Sequence, residues 1–342
     1  MKNKLIIIAA IVIALLGSVI FWQFQRKENI KEEQLRQEQQ APKVPAINGV
    51  PVTEEVAKTR PVAVIIENHG DARPQSGLHL ADIVYETLAE GGITRFLALY
   101  QTQNPDEIGP VRSARPYFNQ IANQWGAIYA HVGGSTIALS ELNSKIHTKL
   151  TDLNQYFYGD YFYRSKERAA PHNAYTSMKL LRTLIEKKDW AEWSPVKLGE
   201  FETIPTEQLQ TAVTKISAKF FDQNYALTFT FDPATGNYLR TTGGKPATYK
   251  INGQQLNVRN VVVQYVDDFV VPLETVNGLG LKLEQDGRAI LFTGGTAVEG
   301  RWRYKNGFTE YIVEDGQPLK FQPGQTWIIL MPRSLTNNVT WQ

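Results

Sequence analysis

Residues 60–100 read RPVAVIIENHGDARPQSGLHLADIVYETLAEGGITRFLALY, and their reading decides the fold. Val62–Ile66 (VAVII) is a short continuous apolar run, as expected of a strand buried on both faces. In Leu78–Leu88 the apolar residues Leu80, Ile83, Val84 and Leu88 recur three and four apart, a spacing that predicts a helix. Ile93–Tyr100 (ITRFLALY) reads as a second strand. Working outward, Ser113–Trp125 is a candidate helix, with Pro116 tolerated in its first turn. Ala127–Val132 is a third strand, and Ser135 or Thr136 can cap a helix over Ile137–Ile146. Another helix is expected over Ser177–Lys187. Strands alternating with helices imply an α/β N-terminal domain with a largely parallel sheet, spanning 61–200.

Beyond residue 200 the pattern turns to strands and tight turns. TFTFDPATGNYLRT (228–241) has the alternation and the Asp-Pro…Gly-Asn centre of a hairpin. VRNVVVQYV, AILFT, EGRWRY, TEYIV and TWIILM follow as further strands, with Gly-rich turns such as Thr293–Thr296 between them. A mostly antiparallel β C-terminal domain is therefore expected over 201–342. No short internal repeat indicates a solenoid or propeller.

The amino-terminal end is different. Leu5–Phe24 carries no charge, and at 1.5 Å per residue a helix of this length spans about 30 Å, the hydrocarbon thickness of a bilayer. Phe21, Trp22 and Phe24 suit an interfacial anchor. The expectation is an N-terminal transmembrane helix within residues 1–27, with the lipid bilayer as partner, and a polar stalk or linker over 28–60. Lys2 and Lys4 on one side are matched by Arg26, Lys27, Lys31 and Arg36 on the other, so charge bias does not set the orientation.

Composition narrows the function classes. The 342 residues contain 36 basic and 34 acidic side chains and no cysteine. Four of the basic residues fall in the first 27 positions, where there is no acid, so the body is slightly acidic. It lacks the concentrated basic stripe of a nucleic-acid protein. Without cysteine there are no disulfides, thiolate nucleophiles or Cys-bound zinc.

Chemistry is expected in loops at the carboxyl ends of the strands, where open parallel sheets bind ligands. Arg112 and Arg115, three apart and entering a helix, suit a bidentate grip on a phosphate or carboxylate. Arg73 lies in the loop after the first strand. Gly133, Gly134 and Ser135 open another helix and can offer backbone N–H groups, without the Lys or spacing of a P-loop. The competing reading pairs the arginines with Asp82, Glu86 or Glu90, which recur every four residues and would line one helix face. His131 and His172 are the acid/base candidates. His69 with Asp71 and His131 is a metal constellation without a tight ligand spacing, so no metal or cofactor is assigned. Ser113 or Ser135 with His131 lacks the Gly-x-Ser-x-Gly elbow of a hydrolase. The aromatic run Tyr156-Phe157-Tyr158 and Tyr161-Phe162-Tyr163 fits either sugar stacking or an apolar cover.

Residues 60–100, then IGPVRSARPYF (108–118), HVGGS (131–135), APHNAYT (170–176), and EGRW and LKFQPGQTWI within 294–332 together resemble the YerB-like lipoprotein family, domain of unknown function 3048. The resemblance covers roughly residues 60–332. It implies a bacterial envelope protein on the outer face of the cytoplasmic membrane, and it carries no catalytic roles. The chain departs from the pattern in lacking the lipoprotein cysteine. Three functions stay open: binding an anionic, phosphorylated envelope glycan or lipid-linked precursor, a transferase or hydrolase acting on such a ligand, and a regulator or assembly factor that binds envelope proteins.

Overall fold

The computed structural model describes residues 21–28, 43–272 and 277–342. The elements used below, in chain order, are β1 (Val62–Glu67), β2 (Ile83–Leu88), β3 (Thr94–Tyr100), α1 (Pro116–Gln124), β4 (Ile128–His131), α2 (Thr136–Ser144), β5 (Thr151–Asn154) and α3 (Met178–Lys188). They continue with β6 (Lys215–Ala218), β7 (Leu227–Asp232), β8 (Asn237–Thr242), β9 (Asn260–Pro272), β10 (Asp286–Thr293), β11 (Thr296–Lys305), β12 (Phe308–Ile312), β13 (Thr326–Pro332) and β14 (Val339–Trp341).

One sheet of eleven strands dominates, in the order β12-β11-β10-β9-β13-β2-β3-β1-β4-β5, with Asn277–Lys282 also pairing β9. This corrects the expected largely parallel α/β domain followed by a separate antiparallel one. The sheet is mixed, and it takes strands from both sides of residue 200. β1, β4 and β5 are parallel; α2 connects β4 to β5, whereas α1 connects β3, which runs antiparallel to β1, to β4. β2 and β3 are antiparallel, because Ala89–Ile93 is far too short for a crossover connection. β9 and β13 then lie parallel to β2, with Thr326 opposite Ile83 and Ile328 opposite Tyr85. Strands β6, β7, β8 and β14 belong to a second, six-stranded sheet.

Leu78–Leu88 is the second correction. It forms a single 3-10 turn at Leu78–Leu80 and then strand β2. Its apolar positions satisfy a helical spacing, but they serve two cores at once: Val84 and Leu88 face one, Ile83 and Tyr85 the other. Period two explains all six buried residues, and one helix face cannot.

Those two cores lie on opposite faces of the large sheet. One is closed by α3 and the second sheet, through Leu181, Leu184, Phe229 and Tyr238. The other is closed by α1 and α2, through Phe118, Ile121, Ala138 and Leu142. Burying a side chain of this size stabilises by roughly 1.5–3 kcal/mol. Helix starts follow the sequence: Pro116 opens α1, Ser135 caps α2 through the Ala138 N–H, and Ser177 caps α3 through the Leu180 N–H.

The expected transmembrane helix is also corrected. No helix among the described residues is long and apolar enough to cross a membrane. Positions 1–20 of the expected anchor lie outside the described residues, as do 29–42 of the stalk. Residues 21–28 are helical and include Arg26, Lys27 and Glu28.

Candidate functional site

The loops expected to carry chemistry do meet. The Arg112 carbonyl accepts from the Val132 N–H at 3.0 Å, and the Gly133 carbonyl accepts from the Ala114 N–H at 2.9 Å. Their polar side chains, however, are divided among separate tasks.

Arg115 forms a two-pronged ion pair with Glu90, whose carboxylate also lies 3.9 Å from Arg95. Burial alone would raise the Glu90 carboxyl, but the Arg115 hydrogen bonds, and then the charges of Arg115 and Arg95, hold it below its ordinary value. A carboxyl with a depressed folded-state pKa contributes stability above its unfolded pKa, about 4.3, and loses it as pH falls through the folded value. Arg115→Gln is therefore expected to flatten the fall in stability on acidification below about pH 4.3. Denaturant melts at stepped pH check this, and an unchanged slope would contradict the pairing.

Arg73 is spent on the fold. Its Nε and Nη2 donate to the Asn68 side chain and backbone, each at 3.0 Å, and its guanidinium lies 4.8 Å from the Tyr225 ring. Gly133 to Ser135 does not form an open cradle. The Gly133 N–H donates to Asn154, the Ser135 N–H donates to the Ala114 carbonyl, and the Ser135 hydroxyl caps α2. His131 is fully buried, with Nδ1 2.6 Å from the Gly133 carbonyl and Nε2 2.7 Å from Asp152. Both ring nitrogens face acceptors, which leaves neither free to serve an acid/base step.

Asp82, Glu86 and Glu90 do not share a helix face. Asp82 is buried and accepts from Asn48, Thr102 and the Gln101 N–H. Burial pushes its carboxyl up, against the hydrogen bonds from Thr102 and Gln101. Glu86, on β2, is fully buried and accepts from Arg240 at 3.0 Å, Trp327 at 2.9 Å and Thr94 at 2.8 Å. Arg240, on β8, stacks over Trp327 at 4.5 Å, so this ion pair joins the two sheets. The alternation Tyr238, Arg240, Thr242 was the available signal, since it places a charge at an inward position of the hairpin. Among the aromatics, Tyr156 and Phe157 are exposed, whereas Phe162 is buried and Tyr158 packs edge-on against Trp190.

What remains is one polar rim, built around the end of β1. Glu67, the last residue of the strand, keeps a nearly buried carboxylate. Its two oxygens lie 3.1 Å from Arg112 Nε and 3.0 Å from His172 Nδ1. Immediately after the strand, His69 Nδ1 accepts the Asp71 N–H across a short turn, and its ring stacks on His172 at 4.7 Å. His172 arrives from a distant strap over residues 164–173, which docks through Arg168 onto the Ala72 and Pro74 carbonyls. Arg112 is more open than Arg115, with a quarter of its side chain exposed against an eighth. The site thus groups Glu67, His69, Asp71, Arg112 and His172. The sequence reading considered His131 beside His69 and Asp71 without a spacing to support it, and the strap places His172 there instead.

Residues 47–191 match the family described as "Protein of unknown function (DUF3048) N-terminal domain", and residues 216–328 match its C-terminal domain. The chain is 33% identical over 289 residues to "Putative lipoprotein YerB" of Bacillus subtilis (strain 168), covering 84% of this chain and 85% of that protein. The crystal structure of YerB protein from Bacillus subtilis superposes with a TM-score of 0.77 at 31% identity, covering 88% of this chain and 99% of the other.

Proposed function

Because the chain belongs to the DUF3048 family, with both of its domains in order, we propose that it is an envelope protein binding an anionic ligand at the rim around Arg112. The ligand class is a phosphorylated glycan or a lipid-linked precursor. The lipoprotein name of the Bacillus relative supports the envelope assignment. One observation carries the ligand class. Of the three arginines read from the sequence, Arg73 and Arg115 are held in the fold, while Arg112 reaches the surface beside two imidazoles. A guanidinium in that position can add a charge-assisted bond to a phosphate without giving up Glu67.

The test is thermal unfolding of the whole chain with inorganic pyrophosphate in chelator-treated buffer. A ligand at 100 times its dissociation constant adds about 2.7 kcal/mol, a shift of a few degrees. The shift should vanish in Arg112→Gln and shrink in Arg112→Lys. Its persistence in Arg112→Gln would refute the assignment.

A transferase or hydrolase is favoured by one pair. Glu67 holds His172 Nδ1 and leaves Nε2 available for proton transfer. That reading requires His172→Gln to abolish turnover of a phosphorylated glycan while sparing the thermal shift.

A further inference from the structure

We propose that His69, Asp71 and His172 form a binding site for a divalent transition metal, zinc by its donor chemistry. The site does not depend on the anion-binding reading. One ligand atom from each residue lies within 4.8 Å of the others, with Asp71 Oδ2 3.5 Å from His69 Nδ1 and 4.0 Å from His172 Nε2. Donors around a tetrahedral zinc at about 2.0–2.1 Å stand roughly 3.4 Å apart. The two separations to Asp71 are close to that, the two imidazoles lie within 4.8 Å of each other, and inward movements of about 1 Å would complete the site.

The chemistry of each donor fits. His172 Nδ1 donates to the nearly buried Glu67 carboxylate, which fixes the tautomer and leaves a lone pair on Nε2, the nitrogen nearest Asp71. A carboxylate behind a ligating imidazole is the usual outer partner of a metal-bound histidine. Arg112 balances the Glu67 charge, so the carboxylate stays in place behind the ring. The Asp71 N–H donates to His69 Nδ1, so that nitrogen carries a lone pair rather than a proton. Rotation of the ring turns this lone pair from the N–H towards the ion. The exposed Asp71 carboxylate is free to swing. Two imidazoles and one carboxylate favour zinc and its transition-metal neighbours over magnesium or calcium, which take oxygen ligands. The partly exposed rim leaves a fourth position open to water or to an anion.

The ligands come from two chain segments about a hundred residues apart. His69 and Asp71 flank Gly70 just after β1, whereas His172 sits on the strap. A bound ion would tie the strap to the end of the strand.

The experiment is calorimetric titration of untagged, chelator-treated protein with zinc chloride, without any anionic ligand. One ion per chain is expected, with cobalt(II) substituting and giving visible d–d absorption. His69→Ala and His172→Ala should each weaken zinc by more than the roughly 10–100-fold that loss of an outer-shell partner costs, and Glu67→Gln by about that factor. Asp71→Asn, at an exposed position, should weaken zinc while leaving the unprobed thermal melt unchanged. No zinc binding, or binding unchanged in both histidine variants, overturns the site. The pyrophosphate shift in chelator tests the other reading separately, so either can fail alone.

Discussion

Arg240→Ala is expected to lower the free energy of unfolding by about 3–5 kcal/mol, the cost of leaving one partner of a buried ion pair alone. Glu86 has no exposed surface and Arg240 has 2%, so the pair is held away from bulk water. The carboxylate would keep Trp327 and Thr94 as donors but lose both guanidinium contacts, at 3.0 and 3.2 Å. The ring faces of Trp327 and Phe96, which the guanidinium covers, would also line a void. The pair itself need not stabilise the fold. Replacing both residues with apolar side chains of similar volume is often neutral or stabilising. Glu86→Met with Arg240→Met should therefore recover most of the loss. Denaturant melts of the two single variants and the double variant form the cycle. A loss below about 1 kcal/mol in Arg240→Ala would mean that the pair does not join the sheets.

Gly295→Ala is expected to destabilise by several kcal/mol, or to prevent folding. Gly294 and Gly295 form the turn between β10 and β11, both at positive φ, where a Cβ costs of order 1–3 kcal/mol. At Gly295 the Cβ would also stand 1.6 Å from the Gln210 carbonyl oxygen, a backbone atom with no room to yield. That approach exists because the turn docks on the 210–213 segment: the Gly294 carbonyl accepts from the Gln210 N–H and the Gly295 carbonyl from the Val213 N–H. Gly244, also at positive φ, has open space around it, so Gly244→Ala isolates the conformational cost alone. The two variants should differ by at least about 2 kcal/mol in thermal or denaturant melts, the scale of overpacking. Equal losses would show that the clash is relieved by movement of the 210–213 segment.

Local grammar in the sequence was readable wherever a segment's own residues settle its structure. Pro116, Ser135 and Ser177 mark helix starts that the structure keeps, and the Asp-Pro…Gly-Asn run within 228–241 marks the hairpin. Segments whose structure is set by distant partners were not readable. Leu78–Leu88 becomes a strand because β3 and β13 bond to its two edges, and β13 lies more than two hundred residues away. The candidate loops were identifiable because polar and glycine-rich runs follow the strands. Pairing of Arg115 with Glu90 was among the readings left open, but spacing could not choose Glu90 over Asp82 and Glu86, and nothing local showed that Glu67 closes on Arg112. His172 entered the site through a strap whose docking depends on Arg168 and two backbone carbonyls, and neither leaves a mark in the local pattern.

The position of β13 has a consequence for how the chain is made. β13 occupies an interior slot between β9 and β2, although it follows β2 by more than two hundred residues, so both neighbours keep raw edges until that later segment is delivered. During vectorial synthesis the amino-terminal half cannot complete its sheet, and the unsatisfied edges of β2 and β9 are templates for mispairing. Closure by so distant a segment makes folding slow and late. Until β13 emerges, β2 therefore has only one of its two neighbouring strands, and the large sheet stays in two parts.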